Sequence, residues 1–177
     1  AFLVRGINVG GRHKVVMEEF CHELKELGMS NVSSYINSGN FFFDSSLMKV
    51  ELLLVLERFL NKTYPFIKVF SLFTLEDYQN EVASLPKWWE EDFYRKDVLL
   101  YTERLDKNEM RNVMESLELG DEIIHLGQLG IYWGKFDKSS YNQTAYHKKL
   151  LKAPFYPSIT IRNARTFSKI GHFLRMK

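Results

Sequence analysis

Residues 1–74 alternate between strand-like and helix-like spacings of apolar positions. The chain opens on a short apolar run, AFLVR, and apolar residues then recur every three or four positions from Met17 to Leu27, which predicts a helix. Two strands are predicted next, VSSYIN and FFF, on either side of the turn SGN. A second helix is predicted from Leu47 to Lys62, and Pro65 separates it from a fourth strand, IKVFSLF. The predicted order of elements is βαββαβ.

The same order recurs further along the chain. VLLY predicts a strand, and Asp106 followed three residues later by Glu109 is typical of a helix N-terminus. EIIHL and GIYWG predict a hairpin. A helix near Tyr141 to Leu151, the strand SITIR and an additional helix from Ala164 complete the second series.

The repeated order predicts an α+β protein, a tandem duplication of ferredoxin-like βαββαβ units with antiparallel sheets, plus a connector helix and a C-terminal helix. We assign residues 1–74 to repeat one and residues 75–96 to a helical connector that begins after Thr74. Residues 97–177 form repeat two with the C-terminal helix, and we expect one compact unit. An interleaved α+β sandwich is the main alternative.

Right-handed crossovers give such a unit the strand order 4-1-3-2. The chain then leaves strand one at the end of the sheet where strands two and three are joined by their turn. The stretch RGINVGG and the turn SGN should therefore meet at one rim, with Arg5 and Asn40 on neighbouring strands. This rim is the best candidate for a ligand site.

The charges are segregated along the chain, although the formal net charge is only +2. Residues 76–122 carry 6 basic and 14 acidic side chains, whereas residues 135–177 carry 10 basic and 1 acidic. Either these segments pair across the fold and neutralise each other, or the basic segment forms a surface that attracts anions.

Composition excludes several classes of protein. A single cysteine, Cys21, allows no internal disulfide and fits a reducing compartment. The sequence contains neither a membrane-length apolar stretch nor a signal-peptide pattern, so we expect a cytoplasmic protein without membrane contact. The five histidines lack metal-ligand spacing, and no nucleophile elbow is present. We therefore predict neither a metal nor a cofactor, and no catalytic residue or reaction can be assigned.

The RGINVGG stretch has the features of an anion-binding loop. Glycines let a ligand approach the backbone, basic residues follow directly, and no capping side chain precedes the predicted helix. The glycine spacing fits neither a Walker loop nor a dinucleotide fingerprint. The alternative is a tight turn beside a helix whose own glutamates complement the dipole. The candidate ligand-binding residues here are Arg5, Asn8, Gly10, Gly11 and Lys14.

Two further segments supply candidates. Ser38, Gly39 and Asn40 of the SGN turn join the first set through the predicted adjacency of the loops. A possible second site lies at the start of the C-terminal helix, where Asn163 is a suitable N-cap. Cations are unfavourable at a helix N-terminus, so they indicate either a functional site or ion pairs with the acidic segment. The members of this second set are Arg162, Asn163, Arg165 and Lys169.

Aromatic side chains are predicted on both faces of the sheets. In FFF, Phe42 points to one face while its neighbours point to the other, and IYWG behaves likewise. We expect these faces to be buried, repeat against repeat. Exposed sheet aromatics would instead suit single-stranded nucleic acid, as in RNA-recognition motifs. The pair Trp88 and Trp89 is expected to clamp the halves together, or to form a partner surface if exposed.

Several of these stretches resemble one family. LVRGINVGG, Lys14, YINSGN and TIRN…T…KI are similar to the motifs of the bacterial domain-of-unknown-function family 1697, in order and over nearly the whole chain. The resemblance implies a small intracellular α+β protein with no established activity. It also places the candidates from Arg5 to Asn40, together with Arg162 and Asn163, at motif positions.

The sequence leads to one preferred function and two alternatives. The preferred function is a binding module for a small anionic ligand, such as a nucleotide or a phosphorylated metabolite, at the rim of repeat one. The alternatives are single-stranded nucleic-acid binding through the basic tract and the sheet aromatics, and a protein-interaction module around Trp88 and Trp89. Sequence alone does not give the oligomeric state.

Overall fold

A computed structural model describes residues 1–175. The first series of elements begins with a three-residue strand and ends with another. Its bounds are β1 Phe2–Val4, α1 Met17–Glu26, β2 Ser30–Tyr35, β3 Asn40–Asp44, α2 Lys49–Thr63 and β4 Phe70–Leu72. The connector contains α3, Leu75–Ser84, followed by a turn of 3-10 helix over Lys87–Glu90.

The second series follows without interruption. Its bounds are β5 Arg95–Tyr101, α4 Lys107–Glu115, β6 Glu122–Leu126, β7 Gly130–Lys135, α5 Ala145–Lys148, β8 Ile159–Asn163 and, after the repeat, α6 Ala164–Arg175. Three predicted helix starts have the expected caps: Thr74 accepts from the amide of Asp77, Asp106 caps α4, and the Asn163 side chain accepts from the amide of Thr166.

Two four-stranded antiparallel sheets form, in the orders β2-β3-β1-β4 and β6-β7-β5-β8. Each order is the 4-1-3-2 arrangement expected of a ferredoxin-like unit. The structure therefore confirms the predicted fold class, a pair of such units with six α-helices in residues 1–175.

The prediction of a continuous helix near Tyr141 to Leu151 is wrong. Only Ala145–Lys148 is α-helical, between 3-10 turns at Tyr141–Gln143 and Leu150–Lys152. Thr144 has an extended backbone and accepts a hydrogen bond from the amide of His147, so it begins a new helix there. Buried Glu122, which is distant in sequence, accepts from the first two amides of α5. These contacts interrupt the helix that the local spacing of apolar residues predicts.

The predicted alternation of aromatic residues is observed. Phe41 belongs to the core between the first sheet and its helices, whereas Phe42 lies in a second core on the opposite face. In the second sheet Trp133 faces the helices and Tyr132 faces this central core. Both sheets thus have apolar side chains on both faces, and both faces are buried: one against the helices of the repeat and the other in the central core.

The central core joins the two repeats. Leu3 and Phe42 of the first sheet and Val98 and Tyr132 of the second all lie in it, with 0% exposure. Helix α6 contacts β3, β5, β8 and α3, so it fills the space between the sheets. Trp88 and Trp89 pack against the same core, and their ring contacts are with Phe93, Tyr132 and Phe167, so the predicted clamp between the halves stays a prediction.

Charge pairing between the segregated segments is limited. Among the ion pairs of residues 1–175, Lys135 with Asp121 joins the basic segment to the acidic one. The ion pair expected for Arg162 with the acidic segment is wrong, since its guanidinium donates to neutral oxygens instead. No α-helix of the described residues has the length and apolar character needed to cross a membrane.

The contact between α3 and α6 gives a direct test of the packing. Gly171 is buried, and a Cβ atom added to it would lie 2.3 Å from the Tyr78 ring. We expect Gly171→Ala to lower the free energy of unfolding by about 1–3 kcal/mol through overpacking, although Ala is the better helix former. That corresponds to a melting temperature lower by about 2–4 °C for each kcal/mol. Thermal unfolding followed by circular dichroism measures the change.

Gly120 supplies the matched control. It is exposed, and a Cβ atom added there meets nothing within 4 Å. Gly120→Ala should leave the melting temperature unchanged or slightly higher. Equal melting temperatures for the two variants would contradict the close packing of α6 on α3.

Candidate functional site

The loops predicted to meet at one rim are in contact. The Asn8 Nδ2 atom donates to the backbone oxygen of Asn37 over 3.0 Å. At the end of β1, the amide of Val4 donates to the oxygen of Gly39 over 2.9 Å. Residues 5–14 and the turn between β2 and β3 therefore form one continuous edge, which we call the repeat-one rim.

Residues 6–13 form a small projecting hairpin. Its tip is Gly10 and Gly11, with φ values of 58° and 75°, and the amide of Arg12 donates to the oxygen of Val9. Positive φ at both central residues of a two-residue turn suits glycine at each position. The tip is exposed to solvent.

Two non-glycine residues of this hairpin also have left-handed backbones, Asn8 at φ 54° and His13 at 51°. The Asn8 side chain holds its own backbone conformation through two hydrogen bonds to Val15. It accepts from the Val15 amide and donates to the Val15 oxygen. The His13 ring stacks on Phe66, with ring centroids 4.7 Å apart. The loop is therefore fixed by its own side chains rather than left as a free turn.

The start of α1 agrees with the sequence-based expectation. Val16 occupies the N-cap position without a side-chain hydrogen bond to the helix, and Glu18 and Glu19 lie in the first turn. Arg12 and Lys14, a few residues before the helix, are exposed. The backbone amide of Asn8, a candidate ligand-binding residue, is already used, because it donates to the oxygen of His13.

Arg162 lies at the centre of the contact between the repeats. Its side chain, on the inner face of β8, is only 7% exposed, and its Nη2 atom donates to the backbone oxygens of Val4, Ser38 and Gly39 over 3.0 Å each. Its Nε atom donates to Asn40 Oδ1. Burial lowers the pKa of Arg162 to about 10, so the side chain remains charged at neutral pH.

Asn40 completes this arrangement. It has no exposed surface, and its Nδ2 atom donates to the oxygen of Tyr35 and to the hydroxyl of Ser38. Both ends of its amide are thus engaged inside the protein. In this conformation Asn40 orders the turn and Arg162, and does not reach a ligand.

Arg5 makes the reciprocal contact. Its Nη1 atom donates to the backbone oxygens of Tyr156 and Ile159 in repeat two, over 2.7 and 2.6 Å. Its guanidinium carbon lies 4.9 Å from the centroid of the Tyr156 ring. Arg5 and Arg162, together with Asn40, are called the arginine clamp below.

The second candidate set divides into two parts. Arg162 belongs to the clamp, and Asn163 caps α6. Arg165 and Lys169 are exposed and lie four residues apart on α6, hence on one side of that helix. The structure joins the C-terminal motif to the repeat-one rim through Arg162.

The remaining surface of the rim includes features that sequence reasoning missed. Val9 is 68% exposed at the hairpin tip, and Ile36 is 48% exposed beside Asn37. Ile36 has φ 48°, a conformation that is strained for a β-branched side chain. The sequence around these residues does not predict their exposure, because an isolated Val or Ile beside a strand pattern is expected to be buried with that strand.

Comparison with known proteins now places the chain. The family described as "Protein of unknown function (DUF1697)" matches residues 1–132. The chain belongs to the DUF1697 family.

A solved structure agrees with this assignment. The conserved bacterial protein SP0830 from Streptococcus pneumoniae is similar to this DUF1697 protein, with 57% identity and a TM-score of 0.95. The similarity covers 98% of this chain and 96% of the other. A search of curated proteins finds no match. The family resemblance and the fold are thus confirmed, and the DUF1697 family itself is described without a function.

The arginine clamp generates a stability prediction for this DUF1697 protein. Arg162→Met removes the donor for three backbone oxygens and for Asn40. The buried oxygens of Val4 and Asn40 lose this donor, while the Gly39 oxygen keeps its bond from the Val4 amide, so the free energy of unfolding should fall by about 2–4 kcal/mol, measured by urea denaturation.

Arg165→Met is the matched control, because Arg165 is exposed on the neighbouring helix. It should change stability by no more than about 0.5 kcal/mol. A similar effect of both substitutions would contradict the structural importance of the clamp.

Proposed function

We propose that this protein is a binding module for a small anionic ligand, held at the repeat-one rim. The observation that carries the proposal is the backbone of the projecting hairpin, where Asn8 and His13 are held in left-handed conformations in an exposed loop. Such conformations cost about 1–3 kcal/mol each and persist where the surrounding contacts over-determine them, commonly at ligand sites.

Charge at the rim favours an anion. Arg12 and Lys14 are exposed a few residues before α1, whose first turn has no capping side chain. Basic side chains and helix amides both attract phosphate and carboxylate groups. The exposed tip, Gly10 and Gly11, allows a ligand to approach the backbone.

The candidate residues divide by role under this proposal. Arg5, Asn8, Ser38, Gly39 and Asn40 position the rim through their internal hydrogen bonds. Gly10, Gly11 and Lys14 contact the ligand. A pre-ordered loop binds more tightly than a flexible one because less conformational entropy is lost on binding.

An apolar portion of the ligand is also favoured. Val9 at the tip and Ile36 on the adjoining turn are both largely exposed. Their two loops are linked through Asn8 and Asn37. A nucleotide or another organic phosphate has the required combination of a charged group and an apolar surface.

The alternatives receive less support. Phe42 and Tyr132 have no exposed surface, so the sheets do not offer the stacking platform that single-stranded nucleic acid requires. Trp88 and Trp89 are partly buried against the central core, which reduces the surface they offer to a protein partner. The small-anion proposal needs no rearrangement of the core.

Titration of the ¹⁵N-labelled protein with a panel of nucleotides and sugar phosphates tests the proposal. We expect saturable shifts of the Gly10 and Gly11 amide resonances with at least one compound. Lys14→Ala should weaken its binding about tenfold, the effect of losing one charge-assisted hydrogen bond.

Lys138→Ala is the matched control, since Lys138 is an exposed loop lysine of repeat two. It removes the same charge and should leave the dissociation constant unchanged. The proposal fails if no compound shifts the glycine amides, or if both lysine substitutions weaken binding equally.

A further inference from the structure

The two repeats have equivalent rims. In repeat one the amide of Val4 donates to the oxygen of Gly39 over 2.9 Å; in repeat two the amide of Tyr101 donates to the oxygen of Leu129 over 2.8 Å. Each bond joins the end of the first strand of the repeat to the turn between its second and third strands. The place beside the first bond is filled by Arg162, which reaches across from repeat two.

A cavity of about 460 Å³ lies beside the second bond, and we call it the repeat-two cavity. This volume is within the range of sites for small organic ligands, about 300–1,000 Å³. Three basic side chains line it and no acidic side chain does. The polar lining side chains are Ser84, Tyr101, Lys107, Arg111, His125 and Gln128.

The two cations of this cavity, Lys107 and Arg111, both belong to α4. Lys107 and Arg111 are four residues apart on α4, so they lie on one face of the helix. Neither forms an ion pair within residues 1–175; the Lys107 Nζ atom lies 5.8 Å from the centroid of the Tyr101 ring. Asp106, the nearest carboxylate in sequence, accepts from two amides at the start of α4 instead.

Tyr101 adds a neutral donor. Burial and the negative charge of Glu81 raise the pKa of Tyr101 to about 12, so its hydroxyl stays protonated at neutral pH. Arginine, lysine and a phenolic hydroxyl are together suited to oxyanions, because each donates hydrogen bonds and two carry positive charge.

A buried carboxylate lies behind the floor of the cavity. Glu81 is 1% exposed, and its Oε2 atom accepts from the amide of Gln128 over 2.9 Å. Its Oε1 atom and the nearby Tyr132 hydroxyl are buried without a hydrogen bond of normal geometry in the described part of the chain. Glu81 thus fixes the turn between β6 and β7, and its negative charge lies close enough to Tyr101, which lines the cavity, to raise the pKa of that residue.

We propose that the repeat-two cavity binds a small organic ligand through an oxyanion group, phosphate or carboxylate, with Lys107 and Arg111 as the principal contacts. The site is separate from the repeat-one rim and does not depend on the function proposed there. Met110 and Leu126 supply an apolar lining for the organic part. Glu81 acts as a positioning residue whose charge weakens anion binding.

Titrations of the ¹⁵N-labelled full chain with pyrophosphate and with citrate, at low salt, test this proposal. The amides of Gly127, Gln128 and Met110 should shift saturably with at least one probe, and the probe that acts distinguishes phosphate from carboxylate recognition. Lys107→Gln combined with Arg111→Gln should weaken that binding at least tenfold. Lys14→Ala should not change it.

Glu81→Gln gives a test of opposite sign. Glutamine keeps an acceptor for the amide of Gln128 and removes the negative charge, so binding should strengthen about three- to tenfold. Unfolding or a general loss of structure cannot produce tighter binding.

The proposal is overturned if neither probe shifts the three amides, or if the double variant binds as tightly as the unsubstituted protein. Weaker binding by Glu81→Gln would also overturn its electrostatic basis. Shifts confined to the Gly10 and Gly11 amides would assign the anion to the repeat-one rim alone.

Discussion

The exchange of arginines between the repeats is the contact on which the rest of the structure depends. Arg5 donates to backbone oxygens of repeat two, and Arg162 donates to backbone oxygens of repeat one. Carbonyl groups at strand ends and turns can accept more hydrogen bonds than the sheet gives them, and these lie in partly or fully buried surroundings. A guanidinium satisfies several of them at once, so each repeat completes the hydrogen bonding of the other.

The two units have the same strand order but different rims. The same backbone hydrogen bond ends the first strand in each, at Val4 and at Tyr101. Beside the first, Arg162 fills the space and the hairpin before α1 projects outward. Beside the second, a basic cavity remains open. Equivalent positions in the fold therefore hold the two repeats together in one case and line an open cavity in the other.

The sequence predicted features that depend on neighbouring residues and missed those that depend on distant ones. The alternation around Phe42 and the cap at Asn163 follow from spacing and residue type within a few positions. The bond between Arg162 and Asn40 joins residues 122 positions apart, so nothing local indicates it. Strain at Ile36 was missed for the same reason, because the surrounding contacts override the preference of a β-branched residue for extended backbone. Family resemblance located the motif residues, but only the three-dimensional structure separates those that stabilise the fold from those that face solvent.

Because Arg162 lies late in the chain, the hydrogen bonds that it donates to repeat one form late during synthesis. Repeat one leaves the ribosome with the oxygens of Val4, Ser38 and Gly39 still lacking the donor that the finished protein gives them. That donor is about 120 residues later than the turn it completes, and contacts of such long range form late and slowly. The first repeat therefore gains the hydrogen bonds from Arg162 only after β8 has been synthesised.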